Sequence, residues 1–208
     1  LHTSEEHRRA FEVLAAEIYP YSRMVTVVDE SLLDRARRFG PAEPSVVTAV
    51  RARHDQLAES GAESILCTCS TIGAVAEQTG DALTIGVVRV DRAMAEQAAA
   101  IGGDVVVVAT VDSTIEPTRE LIESVASDRG ARLDVVTAFV PDAWEHFERG
   151  DLTRYHALVA DAIVRVGDDA DVVVLAQASM APAAELVEVR AAVLSSPRPA
   201  MIELLRES

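Results

Sequence analysis

Short, unbroken Val/Ile-rich runs alternate with longer Ala/Glu/Arg-rich segments of helical period from one end of the chain to the other. The runs are Arg23–Val28, Ser64–Cys67, Leu83–Val88, Asp104–Ala109, Leu133–Ala138, Asp171–Ala176 and Ala192–Leu194. Between them the spacing of apolar residues predicts helices near 4–18, 43–58, 71–79, 91–101, 114–128, 151–166, 181–188 and 198–206. A strand that is apolar at every position is buried on both faces, which an antiparallel sheet with a wet face does not require. Strands of that kind separated by helices specify an α/β fold, with parallel sheets flanked by helices.

Comparing the chain with itself sharpens the architecture. Ala62–Glu77 (AESILCTCSTIGAVAE) lies on Ala170–Glu185 (ADVVVLAQASMAPAAE) without a gap, and the strand-to-helix transition falls at the same place in both. Nearly the same offset sets Ala93–Glu96 on Ala200–Glu203 and Thr3 on Thr110. Such self-similarity is the mark of an internal duplication. The expectation is two pseudo-symmetric α/β lobes, residues 1–90 with 195–208 and residues 91–194, with the active-site cleft between them. The strand equivalent to Asp104–Ala109 would then begin ahead of His2-Thr3.

Composition removes whole chemistries. The chain has 208 residues, with 19 basic side chains against 34 acidic ones, a formal charge of −15. Every basic residue is Arg, and neither Lys nor Asn occurs. Without Lys there is no imine to a carbonyl substrate or to pyridoxal phosphate, and no Lys-ended phosphate loop. The acidity repels phosphate backbones, so nucleic acid is not an expected partner. The longest apolar runs reach five residues, against the ~20 that span a bilayer, so no membrane partner is expected either. The N-terminus (Leu1, His2, Thr3, Ser4, Glu5) has neither the basic nor the apolar region of a signal peptide. Cys67 and Cys69 are too close in sequence to staple a fold, which is consistent with a reduced, cytoplasmic compartment.

The chemistry concentrates where the duplication places strand ends. In a parallel sheet, sites form at the carboxyl ends of strands, where the next helix offers bare N–H groups and a partial positive charge. In the first lobe that exit reads Cys67-Thr68-Cys69-Ser70-Thr71. Such a turn suits an activated thiolate, with Ser70 and Thr71 adding hydroxyl donors. Cys67 matches the apolar Leu175 in the repeat and reads as structural. Two thiols alone fall short of a structural zinc site, so no metal is expected.

Here the sequence resembles the aspartate/glutamate/hydantoin racemase superfamily. ESILCTCSTIGAVAEQT looks like the family's first cysteine motif, with Cys69, Ser70 and Thr71 in its Cys, small-polar and Thr places. Ala109–Thr118 resembles its hydroxyl motif, supplying Thr110, Ser113 and Thr114. Asp171–Met180 resembles its second thiol motif, with Gln177, Ala178 and Ser179 at the strand exit, and His2-Thr3 resembles its N-terminal loop. Val193-Leu194-Ser195-Ser196-Pro197 is also similar. The resemblance implies proton transfer without a cofactor at a carbon beside a carboxylate: one thiolate removes the proton and a second thiol returns one from the opposite face. The implied ligand is a small carboxylate held by Thr3, Ser70, Thr71, Thr110, Ser113, Thr114, Ala178 and Ser179, and a homodimer is compatible with folds of this type.

The repeat sets Gln177 opposite Cys69, where the second thiol would stand, so Cys69 and Gln177 form the candidate catalytic pair. Gln is neither acid nor base near neutral pH. Three readings follow: another group (Ser179, His2 or a water) serves the second face; or one thiol suffices, as in the family's arylmalonate decarboxylase branch; or the site binds a carboxylate without turning it over. Among other residues, His7, His54 and His146 lie in charge-rich helical segments and read as surface. His156 could reach the cleft, His2 stands at a strand end, and Trp144 could cover the cleft or simply pack. Arg89 and Arg198 are the Arg residues nearest the site loops, and the sequence does not place either.

Overall fold

The computed structural model describes residues 1–204. It divides into two compact units: Leu1–Val90 with the C-terminal segment from Pro197, and Asp91–Ser196. Each unit is α/β, with parallel strands and covering helices, as the alternation of the sequence requires.

The first unit opens with α1 (Glu5–Ile18), α2 (Glu30–Phe39) and α3 (Pro44–Glu59), followed by β1 (Ser64–Cys67), α4 (Gly73–Gly80) and β2 (Gly86–Arg89). Helix α1 starts where Ser4 accepts from the His7 N–H, and α3 starts with Pro44 behind the Glu43 carboxylate cap. β1 and β2 pair in parallel, from Ser64 opposite Gly86 to Cys67 opposite Arg89. Their apolar side chains join Leu32, Val46, Val50, Leu57, Ile72 and Val75 in one core.

The second unit holds α5 (Arg92–Ile101), β3 (Gly103–Ala109), α6 (Ile115–Asp128), β4 (Leu133–Phe139), α7 (Pro141–Glu148), α8 (Leu152–Gly167), β5 (Val172–Leu175) and β6 (Ala192–Ser195). Its sheet is parallel throughout, in the order β4-β3-β5-β6. Alternation along β3 and β5 divides the core. Val105, Val107, Val172 and Val174 meet Met94, Leu121 and Ile122 on one face, whereas Val106, Val108, Val173 and Leu175 meet Phe147, Tyr155, Val159 and Ile163 on the other. Both faces are therefore dry, which is why these strands carry no polar side chain in their centres. The final helix, α9 (Pro197–Leu204), belongs to the first unit.

Some sequence expectations change. Residues 23–28 form no ladder; Val28 makes a single parallel bridge to His2, because only Leu1 and His2 lie beside that segment. Residues 181–188 are not an α-helix: Ala178–Leu186 is 3-10, with Pro182 inside it, where the missing N–H cannot sustain α hydrogen bonding. Helices α2 and α7 lie outside the expected set, and the last two residues of the helix expected over 198–206 lie outside the described residues.

Candidate active site

In the first unit β1 delivers Thr68 and Cys69 to a 3-10 turn at Ser70–Ile72, which runs directly into α4. Cys69 is the last extended residue, at φ −116° and ψ 110°. The second unit repeats the arrangement: β5 ends, Gln177 is extended at φ −127° and ψ 138°, and a 3-10 turn follows at Ala178. The two candidate catalytic residues thus occupy the same local position in their own units.

Cys69 is buried. Burial pushes its thiol above the ordinary value, against the pull of the Thr3 hydroxyl, the Ile72 and Thr71 N–H groups and the Thr71 hydroxyl. The fall in pKa expected from the turn is therefore not realised: excluding water from the sulfur outweighs the donors aimed at it. The Thr3 hydroxyl is itself buried and makes no well-formed hydrogen bond. Ser70 and Thr71 are buried beside it. Cys67 is fully buried and points its Sγ toward the Cys69 carbonyl at 3.9 Å, in keeping with a structural strand position.

His2 stands next to this turn. Its Nδ1 lies 2.9 Å from the Thr68 hydroxyl, which donates to the Leu1 carbonyl at 3.2 Å, and its ring tilts against Phe11. Burial, then the nearby α-ammonium, His7 and Arg8, push the imidazole down to about 3, so it is neutral. Arg89 ends β2 as a buried guanidinium whose Nη1 lies 3.8 Å from the Glu77 carboxylate. A Cβ at Gly73 would come within 2.8 Å of its Nε, which accounts for glycine at the first residue of α4. Arg198 is on the surface, paired with Glu17 at 2.6 Å.

In the second unit Gln177 is locked. Its Oε1 accepts from the Thr110 N–H at 2.7 Å and the Val111 N–H at 3.3 Å, and its Nε2 donates to the Thr110 hydroxyl at 2.8 Å. Thr110 Oγ1 also lies 3.5 Å from the Tyr155 hydroxyl, which is 2.7 Å from Ser179 Oγ. His156 turns Nε2 to the Ser179 carbonyl at 3.0 Å. Ser113 is half-buried, and Thr114 donates to the Val111 carbonyl rather than capping α6. Ala178 is buried at the start of its turn. The structure therefore gathers Cys69, Ser70, Thr71, Thr3 and His2 in one unit, and Gln177, Thr110 and Ser179 in the other.

Tyr155 was not among the expected residues. It is fully buried, and burial holds its phenol up at about 12 despite the Ser179 and Thr110 hydroxyls. On α8 it occupies an ordinary core position, so only its hydroxyl contacts mark it. The surface reading fails for His7, His54 and His146. His54 is wholly buried, with Nδ1 3.2 Å from the Thr79 hydroxyl, and His7 is half-buried; burial pushes each down to about 4. For His54 the signal was present: Val46, Val50, His54 and Leu57 are the buried residues of α3, at helical spacing. His146 is half-buried like His7, with Nδ1 3.2 Å from Asp151, and Trp144 stacks on Phe147.

Among the described residues no cluster of three His, Cys, Asp or Glu side chains could hold a metal ion. No helix there is long and apolar enough to cross a membrane.

Known structures share this fold. Glutamate racemase isoform RacE1 from Bacillus anthracis superposes with a TM-score of 0.67 at 18% identity, covering 95% of this chain and 76% of that one. PH1733, an aspartate racemase homologue from Pyrococcus horikoshii OT3, gives 0.68 at 15% identity, covering 98% and 94%. An arylmalonate decarboxylase gives 0.58 at 14% identity, covering 91% and 83%. No curated protein is close enough in sequence to count as a match. The family profile described as Asp/Glu/Hydantoin racemase matches residues 3–200, and the chain belongs to that family.

Proposed function

We propose that the protein is a cofactor-independent isomerase that moves a proton at a carbon alpha to a carboxylate, racemising an amino acid or a derivative of one. Cys69 is the proton-transfer group. The observation that carries this reading is the position of Cys69 as the last extended residue of the strand exit, ahead of the 3-10 turn into α4, where burial raises its thiol and the Ile72 and Thr71 N–H groups pull the other way. The substrate carboxylate draws on the same donor types, with Thr3, Ser70 and Thr71 in the first unit and Thr110, Ser113, Thr114, Ala178 and Ser179 in the second. As the carbon loses its proton, charge moves onto the carboxylate as an enediolate, and fixed donors stabilise that charge without reorganising. The lack of Lys agrees with a route that forms no imine.

Gln177 favours a second reading. Its carboxamide is neither acid nor base, and both ends are already engaged by Thr110. Cys69, held as a thiol by burial, is suited to giving a proton rather than taking one. A malonate-like acid that loses carbon dioxide leaves an enediolate; the S–H proton passes to that carbon, and solvent restores the thiol. A cis–trans isomerisation of a maleate-like acid is the related alternative. A protein that only binds carboxylates is the third.

Incubation in deuterated buffer with amino acids, hydantoins and substituted malonates separates these readings. Deuterium uptake with loss of optical rotation, abolished in Cys69→Ala, is the expected result. Cys69-dependent release of carbon dioxide would instead establish the decarboxylase, and geometric isomerisation of a maleate-like acid the isomerase. Saturable binding with no exchange in either protein overturns catalysis altogether.

A further inference from the structure

The second unit's sheet ends on β4, which pairs on one side only. Its seven residues run parallel to β3 without a break, from Leu133 opposite Gly103 to Phe139 opposite Ala109. Just beyond, the Val140 N–H donates to the Ala109 carbonyl at 2.8 Å, which sets the direction of every backbone group along the strand. Within a strand the N–H and C=O of one residue point to the same side, and successive residues alternate. Asp134, Val136 and Ala138 therefore turn their backbone groups to β3, whereas Leu133, Val135, Thr137 and Phe139 turn theirs outward. Among the described residues nothing pairs with those outward groups.

An open edge of this kind is normally blunted by Lys, by Pro or by a bulge. β4 has none of these, and Asp134 is its only charged residue. Leu133 and Val135 pack inward on one face of the sheet and Ala138 on the other. Val136 and Phe139, although apolar, are exposed at 55% and 46%.

We infer that the β4 edge is the surface through which two copies of this chain associate, their β4 strands running antiparallel about a two-fold axis at Val136. The strand is complementary to itself in that register. A two-fold axis normal to the sheet sets each residue opposite one on the same face, and only outward residues exchange hydrogen bonds. With the axis at Val136, Val135 pairs with the second copy's Thr137 and Leu133 with its Phe139, so every outward N–H and C=O is used. Moving the axis to Thr137 sets Leu133 against Pro141, which has no N–H, and moving it to Val135 sets Phe139 against Ala131, outside the strand. The charges agree with the same register. Asp134 meets the second copy's Ala138, and the two Asp134 residues stand about 13 Å apart along the strands. Val136 meets Val136 on one face and Leu133 meets Phe139 on the other, both apolar cross-strand pairs. The two four-stranded sheets become one. A formal charge of −15 on each copy opposes the association, and salt screens that repulsion.

Sedimentation of the full chain from ~1 to ~100 μM, in low and in high salt, tests this. The chain should form a dimer that tightens as salt rises. Val136→Lys sets two ammonium groups against each other at the axis, and Thr137→Pro removes an outward N–H while leaving every bond to β3. Each should weaken the dimer at least ~10-fold. Hydrogen exchange on the unaltered chain needs no substitution. The Val135, Thr137 and Phe139 amides should slow as concentration rises, whereas those of Val136 and Ala138, already bonded to β3, should not change. A chain that stays monomeric at ~100 μM in high salt overturns the inference. So does a dimer whose Val135, Thr137 and Phe139 amides exchange at the monomer's rate, because its contact then lies elsewhere. Neither measurement uses turnover, so failure here leaves the proposed function untouched.

Discussion

Gln177 and Thr110 hold each other at both ends of the carboxamide: the Thr110 N–H donates to Oε1 at 2.7 Å and Nε2 donates to Thr110 Oγ1 at 2.8 Å. Because the Val111 N–H shares Oε1, this side chain is the partner of two buried backbone donors. Gln177→Ala strands both, together with the Thr110 hydroxyl, and an unmet buried donor costs about 1–3 kcal/mol. The expected result is a Tm lower by several degrees, roughly 2–4 °C per kcal/mol at this size. Gln177→Glu keeps the acceptor and should lose less. Equal Tm for the wild type and Gln177→Ala in a thermal melt would show that the lock contributes nothing.

The buried Cys69 thiol predicts the alkaline behaviour. Its folded pKa lies above the ordinary value, whereas the unfolded thiol ionises near ~8.5. Above that pH the unfolded chain has lost a proton that the folded chain keeps, so stability falls as pH rises. Urea unfolding between pH 7 and 10 should show this decline, and Cys69→Ala should flatten its onset. Alkylation of Cys69 by iodoacetamide should still be accelerating at pH 9. A rate that levels off below pH 8 would mean that the donors around the sulfur outweigh burial.

Acid destabilisation has the opposite sign and a different origin. His2 is pushed down to about 3 and His7 and His54 to about 4, all chiefly by burial. The unfolded imidazoles take protons near ~6.5, so between there and about pH 4 the unfolded chain binds more protons and stability drops as pH falls. Each fully unprotonated site steepens the loss by up to ~1.4 kcal/mol per pH unit. Denaturant midpoints measured from pH 7 to 4.5 should fall steeply, and less steeply in His54→Gln, which keeps a polar contact for Thr79 without a titration. Superimposable profiles for the two proteins would exclude His54 as a source.

How far the sequence exposes this structure depends on where each segment's signal lies. β1 and β3 are legible because, after Ser64 and after Asp104, every side chain is apolar and buried on both faces. Helix α2 is not, since only Leu32 and Ala36 of its ten residues are buried and six of the others are charged or polar. Helix α7 is short, and its Pro141 reads as a break although it sits at the first helical position, where proline fits. Cys69 and Gln177 emerge from the repeat, because a duplicated strand exit keeps its register. The pKa of Cys69 and the role of Tyr155 do not emerge: the first depends on how much water the fold removes, the second on hydroxyls brought together from three distant segments.

Tyr155 separates packing from hydrogen bonding within one side chain. Its ring packs against Phe147 at 5.2 Å, while its hydroxyl lies 2.7 Å from Ser179 Oγ and 3.5 Å from Thr110 Oγ1. Tyr155→Phe keeps the ring and removes only the hydroxyl, so it should cost about 1 kcal/mol, whereas Tyr155→Ala also opens a cavity and should cost about 3–5 kcal/mol. Tyr155→Phe also frees the Ser179 hydroxyl from its short contact. If Ser179 holds the substrate carboxylate through that fixed orientation, KM should rise with kcat changed little, because binding shared by the ground and transition states is what is lost. Urea unfolding measures the first effect and initial rates on the substrate identified by deuterium exchange the second. A Tyr155→Phe protein with unchanged stability and unchanged KM would reduce the tyrosine to a ring in the core.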